Sequence, residues 1–276
     1  MMTVENFKRY LTDKGLNPNK TFGQNFLIND IVLHDIVDGA EIKNTDTVVE
    51  VGPGIGNMTQ LLSAKAKKVV CVEKDTQFKK LLSTVEAKSG NVKVMYGDIL
   101  STNFWGEISG EYIVVANIPY YITGKIIQLF LRAERKPRSV TLLTQKEVAE
   151  NMVAKPGKLN LLGVSVQLIG EASILQVVPS RDFFPPPKVT SAVVKIILSP
   201  KPKLPINEEE KFFKLLHAAF LGKRKQIHNT LTNNLTLPKE EIISVLNELG
   251  IKEQSRPQEL SVDDWIRLFE KLKAQI

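Results

Sequence analysis

The segment Thr47–Gly56 constrains the fold more than any other part of the sequence, because a β-branched apolar run leads there directly into three closely spaced glycines. The run predicts a buried strand, and Gly52, Gly54 and Gly56 end it abruptly before a helical pattern begins. Glycines allow the backbone to approach a ligand closely, and the following helix directs its free N–H groups at that ligand. The order strand, turn, helix therefore predicts a nucleotide-like ligand, although such a turn can also serve only to connect a strand to a helix.

The spacing of the glycines narrows the class of ligand. Dinucleotide-binding folds favour the pattern G-x-G-x-x-G, which requires glycine at position 57, where this chain has Asn57. The Lys-Ser/Thr pair of a P-loop is also missing from this turn. A nicotinamide-dependent oxidoreductase stays an alternative, because it would share the fold and a carboxylate at Glu73, but the spacing argues against it.

Carboxylates follow the next two predicted strands. Glu73 ends the apolar run Val69–Glu73, 21 residues after Gly52, and Asp98 follows the run Val92–Tyr96. In a doubly wound sheet these strand ends lie side by side, so Glu73 can accept hydrogen bonds from both ribose hydroxyls and Asp98 can accept one from the amine of an adenine. Either acid alone could be a solvated loop residue. The succession of glycine, glutamate and aspartate at three strand ends favours a ligand site.

The most informative short motif is Asn117-Ile-Pro-Tyr120, at the end of the predicted strand Ile113–Ala116. An exocyclic amine conjugated to an aromatic ring is a poor nucleophile. If the Asn117 side-chain oxygen and the Ile118 carbonyl accept its two N–H bonds, the nitrogen lone pair leaves conjugation and points at an electrophile. Tyr120 would stack on the base. The alternative is an Asn-x-Pro turn with a buried tyrosine.

Two further segments are candidates for ligand contact. Residues 21–30 are rich in Gly, Gln and Asn but also contain Phe22 and Phe26, which suits a loop that folds over a ligand. An N-terminal arm packed on the core explains the same pattern. Phe183 precedes the stiff segment Pro185–Pro187 and is a candidate second face for a stacked base, although ordinary packing is equally compatible.

The chain divides near residue 200. Its 276 residues suffice for one large domain and a small one. The segment Pro200–Pro205 resembles a proline- and lysine-rich linker, which predicts a catalytic domain of residues 1–200 and a helical domain of residues 201–276. Helical patterns after the linker cover Glu208–Phe220, Arg224–Leu231, Lys239–Leu249 and Ser261–Leu272. A net charge of +7 and the basic cluster Lys223–Lys225 favour a polyanionic partner, although a solvated basic face is the default interpretation of such a cluster.

Composition excludes several classes of site. The single cysteine, Cys71, lies within a predicted strand, which leaves neither a disulfide nor a thiolate metal site. His34, His217 and His228 have no ligand-like spacing, so no metal is expected. The first residues lack an apolar signal sequence, and no apolar run is long enough to cross a bilayer. We expect a soluble, cytoplasmic protein without membrane contact.

Over nearly the whole chain these motifs resemble the S-adenosylmethionine-dependent ribosomal RNA adenine dimethyltransferases, and most closely the KsgA branch, which modifies small-subunit (16S) rRNA. The motifs that carry the resemblance are Gly23–Leu27, Glu50–Gly56, Val72–Lys74, Gly97–Ile99, Asn117–Tyr120 and Phe183–Val189. The resemblance implies an α/β fold, a Rossmann-like methyltransferase sheet with helices on both faces, followed by a small all-α C-terminal domain. It implies S-adenosylmethionine as cofactor, bound by Asn25, Leu27, Gly52, Gly54, Glu73, Asp98 and Asn117. It also implies that Asn117, Tyr120 and Phe183 hold the target adenine.

The expected activity and partner also follow from the resemblance. It implies dimethylation of N6 of two adjacent adenosines in a loop near the 3′ end of 16S rRNA, within the small ribosomal subunit, by a monomeric enzyme with a role in subunit biogenesis. A related branch methylates 23S rRNA and shares the N-terminal motifs, but Ala219–Leu231 and Arg256–Ser261 resemble the small-subunit branch. Departures from the family pattern are Tyr121, Lys223 and His228.

A catalytically idle RNA-binding or assembly factor is the other alternative. Such a factor would keep the basic helical domain. It would have no chemical need for Asn117, Tyr120 and Phe183 together.

Overall fold

The structure of the chain, a computed structural model, describes residues 3–201, 203–222, 225–235 and 237–276. Its strands are β1 Phe26–Leu27, β2 Thr47–Val51, β3 Lys68–Glu73, β4 Val92–Tyr96, β5 Tyr112–Asn117, β6 Ser139–Gln145, β7 Gly170–Val178, β8 Phe183–Phe184 and β9 Ser191–Leu198. Its α-helices are α1 Val4–Asp13, α2 Asp30–Gly39, α3 Asn57–Ser63, α4 Lys79–Ser89, α5 Thr123–Leu131, α6 Lys146–Met152, α7 Leu161–Ile169, α8 Glu209–Phe220, α9 Ile227–Leu235, α10 Lys239–Glu248 and α11 Val262–Leu272.

Most strands form one seven-stranded sheet in the order β4-β3-β2-β5-β6-β9-β7. Strands β4, β3, β2, β5 and β6 pair in parallel, and β9 pairs antiparallel with β6. Successive side chains of a strand point to opposite faces, and all five residues of β2 are buried, so both faces of the sheet are covered there. The predicted Rossmann-like α/β fold is confirmed.

The strand order determines where the site forms. After β2 the chain adds β3 and β4 on one side, and then returns to add β5 and β6 on the other side. The register pairs Val51 with Val72 of β3 and with Ala116 of β5, so the carboxyl ends of these strands are level. Open α/β sheets bind ligands where the strand order reverses, in the crevice outside the carboxyl ends. The glycine turn therefore opens at the centre of this edge.

A two-stranded ribbon anchors the N-terminal segment. Strand β1 pairs antiparallel with β8, and Phe26 lies opposite Phe184 while Leu27 lies opposite Phe183. The ring of Phe26 packs edge-on against Phe78 with centroids 5.8 Å apart, within the hydrophobic core. Phe26 and Leu27 are buried in the core, as an N-terminal arm packed on the core predicts, and residues 22–27 also line a cavity. That this segment folds over a ligand stays a prediction.

The chain folds into two compact units, and each unit draws on two separate segments. One comprises residues 1–149 and 172–198, and the other comprises residues 150–171 and 199–276. Residues 150–171 thus belong to the second unit, whereas the sequence prediction placed them in the first domain. The chain passes from the first unit to the second for the last time at residue 199, next to the predicted domain boundary at residue 200.

Within the second unit, helices pack around aromatic side chains. The ring centroids of Phe220 and the fully buried Trp265 lie 5.6 Å apart. Phe212 packs edge-on against Phe269 with ring centroids 5.4 Å apart. Ser261 begins α11 with a capping box that involves Asp264. The C-terminal region is helical, as predicted, although α9 begins at Ile227. Of the predicted linker and basic cluster, Pro202, Lys223 and Arg224 lie outside the described residues.

The glycine turn yields a prediction for stability. Gly56 caps α3 with φ of 83°, and an added Cβ would lie 3.1 Å from the Val85 Cγ2 atom. We expect Gly56→Ala to lower the free energy of unfolding by at least about 1–2 kcal/mol, because left-handed backbone costs alanine that amount before any crowding. Urea denaturation followed by circular dichroism measures the change.

Gly106→Ala is the matched control. An added Cβ there meets no atom within 4 Å, and Gly106 does not have a positive φ. The free energy of unfolding of Gly106→Ala should equal that of the wild type or be slightly higher. Equal losses in the two variants would contradict the explanation.

Candidate cofactor and substrate site

A cavity of about 300 Å³ opens at the carboxyl edge of the sheet, within the first unit. Its lining contains all of the residues predicted to bind the cofactor, namely Asn25, Leu27, Gly52, Gly54, Glu73, Asp98 and Asn117. Tyr120 also lines it. Of the predicted site residues, Phe183 alone is absent from the described lining.

In the glycine turn, Gly52 and Gly54 contribute backbone without side chains to the cavity wall, beside Pro53 and Ile55. Gly52 and Gly54 adopt φ values of 69° and 55°, a left-handed conformation that glycine adopts without a steric cost. The Gly52 N–H donates to the Val72 carbonyl at 2.9 Å, which ties the turn to the neighbouring strand. A Cβ on Gly54 would lie 3.2 Å from the ring of Phe26. The turn therefore leaves its backbone open to a ligand.

Glu73 is held rigidly at the end of β3. It is 5% exposed, and its Oε2 and Oε1 atoms accept hydrogen bonds from the N–H groups of Gly54 at 2.9 Å and Asp75 at 2.7 Å. Burial raises the pKa of this carboxyl, while the two backbone bonds act in the opposite direction. Each carboxylate oxygen has two lone pairs, so both can still accept a bond from a ribose hydroxyl.

Asp98 is a partly exposed acceptor at the end of β4. Its Oδ2 atom forms an ion pair with Lys74 at 2.9 Å, and its Oδ1 atom accepts the Leu100 N–H at 3.0 Å. The hydrogen bond from Lys74, followed by that from Leu100, lowers the pKa of Asp98. The ammonium of Lys74 also lies 5.9 Å from the centroid of the Phe22 ring. The carboxylate is ionised at neutral pH and suits an amine donor.

Asn117 places its amide at the end of β5. Its Nδ2 atom donates to the Asn25 carbonyl at 3.4 Å, and Asn25 donates in turn to the Gly23 carbonyl at 3.1 Å. This bond turns the nitrogen side of the amide towards residue 25. The neighbouring Ile118 also lines the cavity. Both residues that the motif predicted to supply acceptors therefore line the same cavity.

The two aromatic residues predicted to hold the adenine have different environments in the structure. Tyr120 is half-buried, lines the cavity and forms a hydrogen bond through its hydroxyl with Ser191 Oγ at 2.5 Å. Phe183 is 1% exposed and belongs to the hydrophobic core, where it lies opposite Leu27 in the ribbon. Of these two residues, Tyr120 lines the cavity and Phe183 does not, so a stacking role for Phe183 stays a prediction that requires its ring to become exposed.

Glu50 is a lining residue to which the sequence analysis gave no individual role, although it begins the motif Glu50–Gly56. It is fully buried in β2, its Oε2 atom accepts from the Cys71 thiol at 3.3 Å, and its Oε1 atom has no hydrogen-bond partner among the described residues. Burial raises the pKa of Glu50 to about 7. The signal was present, because an acid within an otherwise apolar strand is costly unless it serves a ligand.

The second unit carries a polar hollow of about 780 Å³. Lys225, Lys252 and Arg256 contribute cations to its lining, and Glu259 contributes one acid. The carboxylate of Glu259 accepts the backbone N–H of Arg256 at 2.9 Å. The hollow therefore favours an anionic ligand.

The described residues contain no group of three or more His, Cys, Asp or Glu side chains that could hold a metal ion. Across the same ranges, none of the helices combines the length and the apolar character that spanning a bilayer requires.

Glu50 predicts how stability depends on pH. Its pKa is about 7 in the folded chain against an ordinary 4.5, so its favourable contribution is complete below pH 4.5 and is lost as the pH rises through 7. A tenfold change in an ionisation constant corresponds to about 1.4 kcal/mol, so the free energy of unfolding of the wild type, relative to that of Glu50→Gln, should fall by about 3 kcal/mol from pH 4.5 to 8. Urea titrations at several pH values measure it.

Glu107→Gln is the control for this measurement. Glu107 is partly exposed, and its hydrogen bond with Lys68 lowers its pKa, so its contribution is lost only at acid pH. A difference between wild type and Glu50→Gln that stays constant from pH 4.5 to 8 would refute the raised pKa.

Solved structures of known proteins share this fold. A dimethyladenosine transferase from Plasmodium falciparum superimposes with a TM-score of 0.79 at 27% identity, and the match covers 91% of this chain and 98% of that one. The 23S rRNA methyltransferase ErmE gives a TM-score of 0.72 at 27% identity, with coverage of 90% and 99%.

Sequence comparison identifies the family. A relative from Dehalococcoides mccartyi strain CBDB1, named Ribosomal RNA small subunit methyltransferase A, is 41% identical over 256 residues, which cover 92% of this chain and 88% of the relative. A relative of the same name from Geobacillus sp. strain WCH70 is 35% identical over 277 residues, with coverage of 96% and 95%. The model of the ribosomal RNA adenine dimethylases matches residues 15–274. This chain therefore belongs to the ribosomal RNA adenine dimethylase family.

Proposed function

We propose that this chain dimethylates N6 of two adjacent adenosines in a loop near the 3′ end of 16S rRNA, within the small ribosomal subunit. The observation that carries the chemistry is the amide of Asn117, which lines the cavity together with Ile118 and whose nitrogen donates to the Asn25 carbonyl. The choice of the small subunit draws support from relatives 35–41% identical that are named for it, whereas the large-subunit enzyme ErmE is 27% identical.

The lining fits S-adenosylmethionine. Glu73 would accept the ribose hydroxyls, Asp98 the adenine amine, and the turn at Gly52 with the segment at Asn25 and Leu27 would surround the amino-acid end. The buried Glu50 Oε1 atom, which lacks a described partner, suits a ligand that carries positive charge. The left-handed turn at Gly52 and Gly54 provides the close backbone approach that such a ligand needs.

The cofactor supplies a methyl group on an electrophilic sulfonium. The residues of the chain prepare the nucleophile: Asn117 Oδ1 and the Ile118 carbonyl accept the N–H bonds of adenine N6 and so direct its lone pair at the methyl group. A general base is not required before transfer, because the ammonium-like product is acidic enough to lose its proton to water. Each transfer would form an N–CH3 bond as the S–CH3 bond breaks, with a neutral thioether as the leaving group, and a second transfer after cofactor exchange would give the dimethyl product.

The target adenosine must leave its stack to reach this cavity. Single-stranded RNA loops are recognised through splayed bases that stack on aromatic side chains, and Tyr120 offers such a ring. The stacking role of Phe183 is retained as a prediction only. Lys225, Lys252 and Arg256 of the polar hollow would bind RNA phosphates.

We propose that the enzyme acts as a monomer, in the cytoplasm and without membrane contact, where ribosomal subunits mature.

Asn117→Ala tests the proposed role of the amide. We expect methyl transfer to fall by at least about 100-fold, the usual loss when one preorganised polar group is removed from a transition state, while cofactor affinity changes only a few-fold. A tritiated-methyl assay and calorimetric titration measure the two quantities. Asn6→Ala, at an exposed position of α1, is the control and should leave both unchanged. Normal turnover by Asn117→Ala would refute the assignment.

The substrate is tested by comparing unmethylated small subunits with naked 23S rRNA. We expect dimethyladenosine on the small subunit alone, detected by nucleoside mass spectrometry after complete digestion. Transfer to the large-subunit RNA, with none to the small subunit, would overturn the proposed substrate but would leave the proposed chemistry intact.

A further inference from the structure

Two pairs of hydroxyl groups connect the Asn-Ile-Pro-Tyr turn to the neighbouring strands. The Tyr120 hydroxyl lies 2.5 Å from Ser191 Oγ, at the first residue of β9. Thr123 Oγ1 lies 3.0 Å from Thr144 Oγ1, near the end of β6. In the sheet β6 lies beside β5, and β9 lies beside β6. The turn that follows β5 is therefore fastened to the next two strands.

The strand residues of both pairs are enclosed in the protein. Ser191 and Thr144 are 0% exposed, and Thr123 is 1% exposed. A buried hydroxyl that loses its partner bears the full cost of its desolvation, so each pair strongly favours one arrangement of the turn. Thr141, on the same strand as Thr144 and also 0% exposed, provides a contrast, because its hydroxyl has no partner among the described residues.

The backbone bonds of the turn are local. The N–H of Ile122 donates to the Pro119 carbonyl at 3.2 Å, and the N–H of Thr123 donates to the Tyr120 carbonyl, which together make one short 3₁₀ turn. Bonds within a turn set its shape but leave its orientation against the sheet to other contacts. The hydroxyl pairs supply that orientation.

We propose that Ser191 and Thr144 are positioning residues for methyl transfer, which hold Tyr120 and the adjoining Asn117 amide at the angle that the reaction requires. This inference rests on the proposed function. Neither residue belongs to the described lining of the cavity, so each acts through another group: Ser191 through the ring of Tyr120, and Thr144 through Thr123 at the start of α5.

The test compares Thr144→Val with Thr141→Val, the same substitution on the same buried strand. We expect Thr144→Val to lower kcat by about 10-fold or more, because small displacements of positioning groups are costly in rate, while KM and the cofactor Kd change less than about 3-fold. Thr141→Val should leave kcat unchanged. Thr144→Ser retains a hydroxyl and should restore most of the rate. Equal kcat values for Thr144→Val and Thr141→Val would overturn the inference.

The Tyr120–Ser191 pair is tested by a double-mutant cycle. Ser191→Ala and Tyr120→Phe each remove one hydroxyl and leave the phenyl ring in place. If their bond causes the effect, the double variant loses no more rate than the more impaired single variant. Losses that multiply would show that the two hydroxyls act separately and would overturn the role of Ser191.

Hydrogen exchange provides a readout that does not depend on the substrate. We expect faster amide exchange across residues 117–123 in Thr144→Val and Ser191→Ala, with wild-type exchange in Thr141→Val. If wild type fails to methylate small subunits but these exchange differences appear, the proposed function fails and the positioning bonds stand. If wild type methylates small subunits and exchange is equal in all variants, the positioning inference fails and the proposed function stands.

Discussion

The parallel register of β2 with β3 and β5 is the constraint on which the site depends. It brings the strand ends level, so residues far apart in sequence share one edge of the sheet. The Gly54 N–H, just after β2, then donates a hydrogen bond to Glu73 Oε2, at the end of β3, at 2.9 Å. Most residues of these strands are buried and apolar, and the polar residues Glu50, Glu73 and Asn117 among them line the cavity. The parallel pairing of the strands brings these side chains to one edge of the sheet.

Much of this site could be predicted because its residues stand next to strong local patterns. The glycines follow a β-branched run, Glu73 ends β3, and Asp98 follows β4. Once the sheet is recognised as doubly wound, all of them are expected at one edge of it. The Asn-Ile-Pro-Tyr motif at the end of β5 follows the same logic, and the structure places Asn117 and Tyr120 in one cavity.

The remaining features depend on tertiary packing that no local pattern contains. Phe183 lies opposite Leu27 in a two-residue ribbon and is buried, whereas the sequence alone left base stacking and ordinary packing equally open. Glu50 was overlooked because its strand was interpreted as a uniformly apolar run. The assignment of residues 150–171 to the helical unit likewise follows from packing between segments distant in sequence.

The ion pair between Lys74 and Asp98 has a consequence for any measurement of cofactor affinity. The carboxylate assigned to the adenine amine is already shared with a partly exposed ammonium, which also faces the Phe22 ring. Dissolved ions weaken exposed charge pairs over distances of about 10 Å at 0.1 M. Dissociation constants for the cofactor therefore depend both on its contacts with the protein and on how strongly Lys74 is paired with Asp98. They are comparable only when they are measured at the same salt concentration.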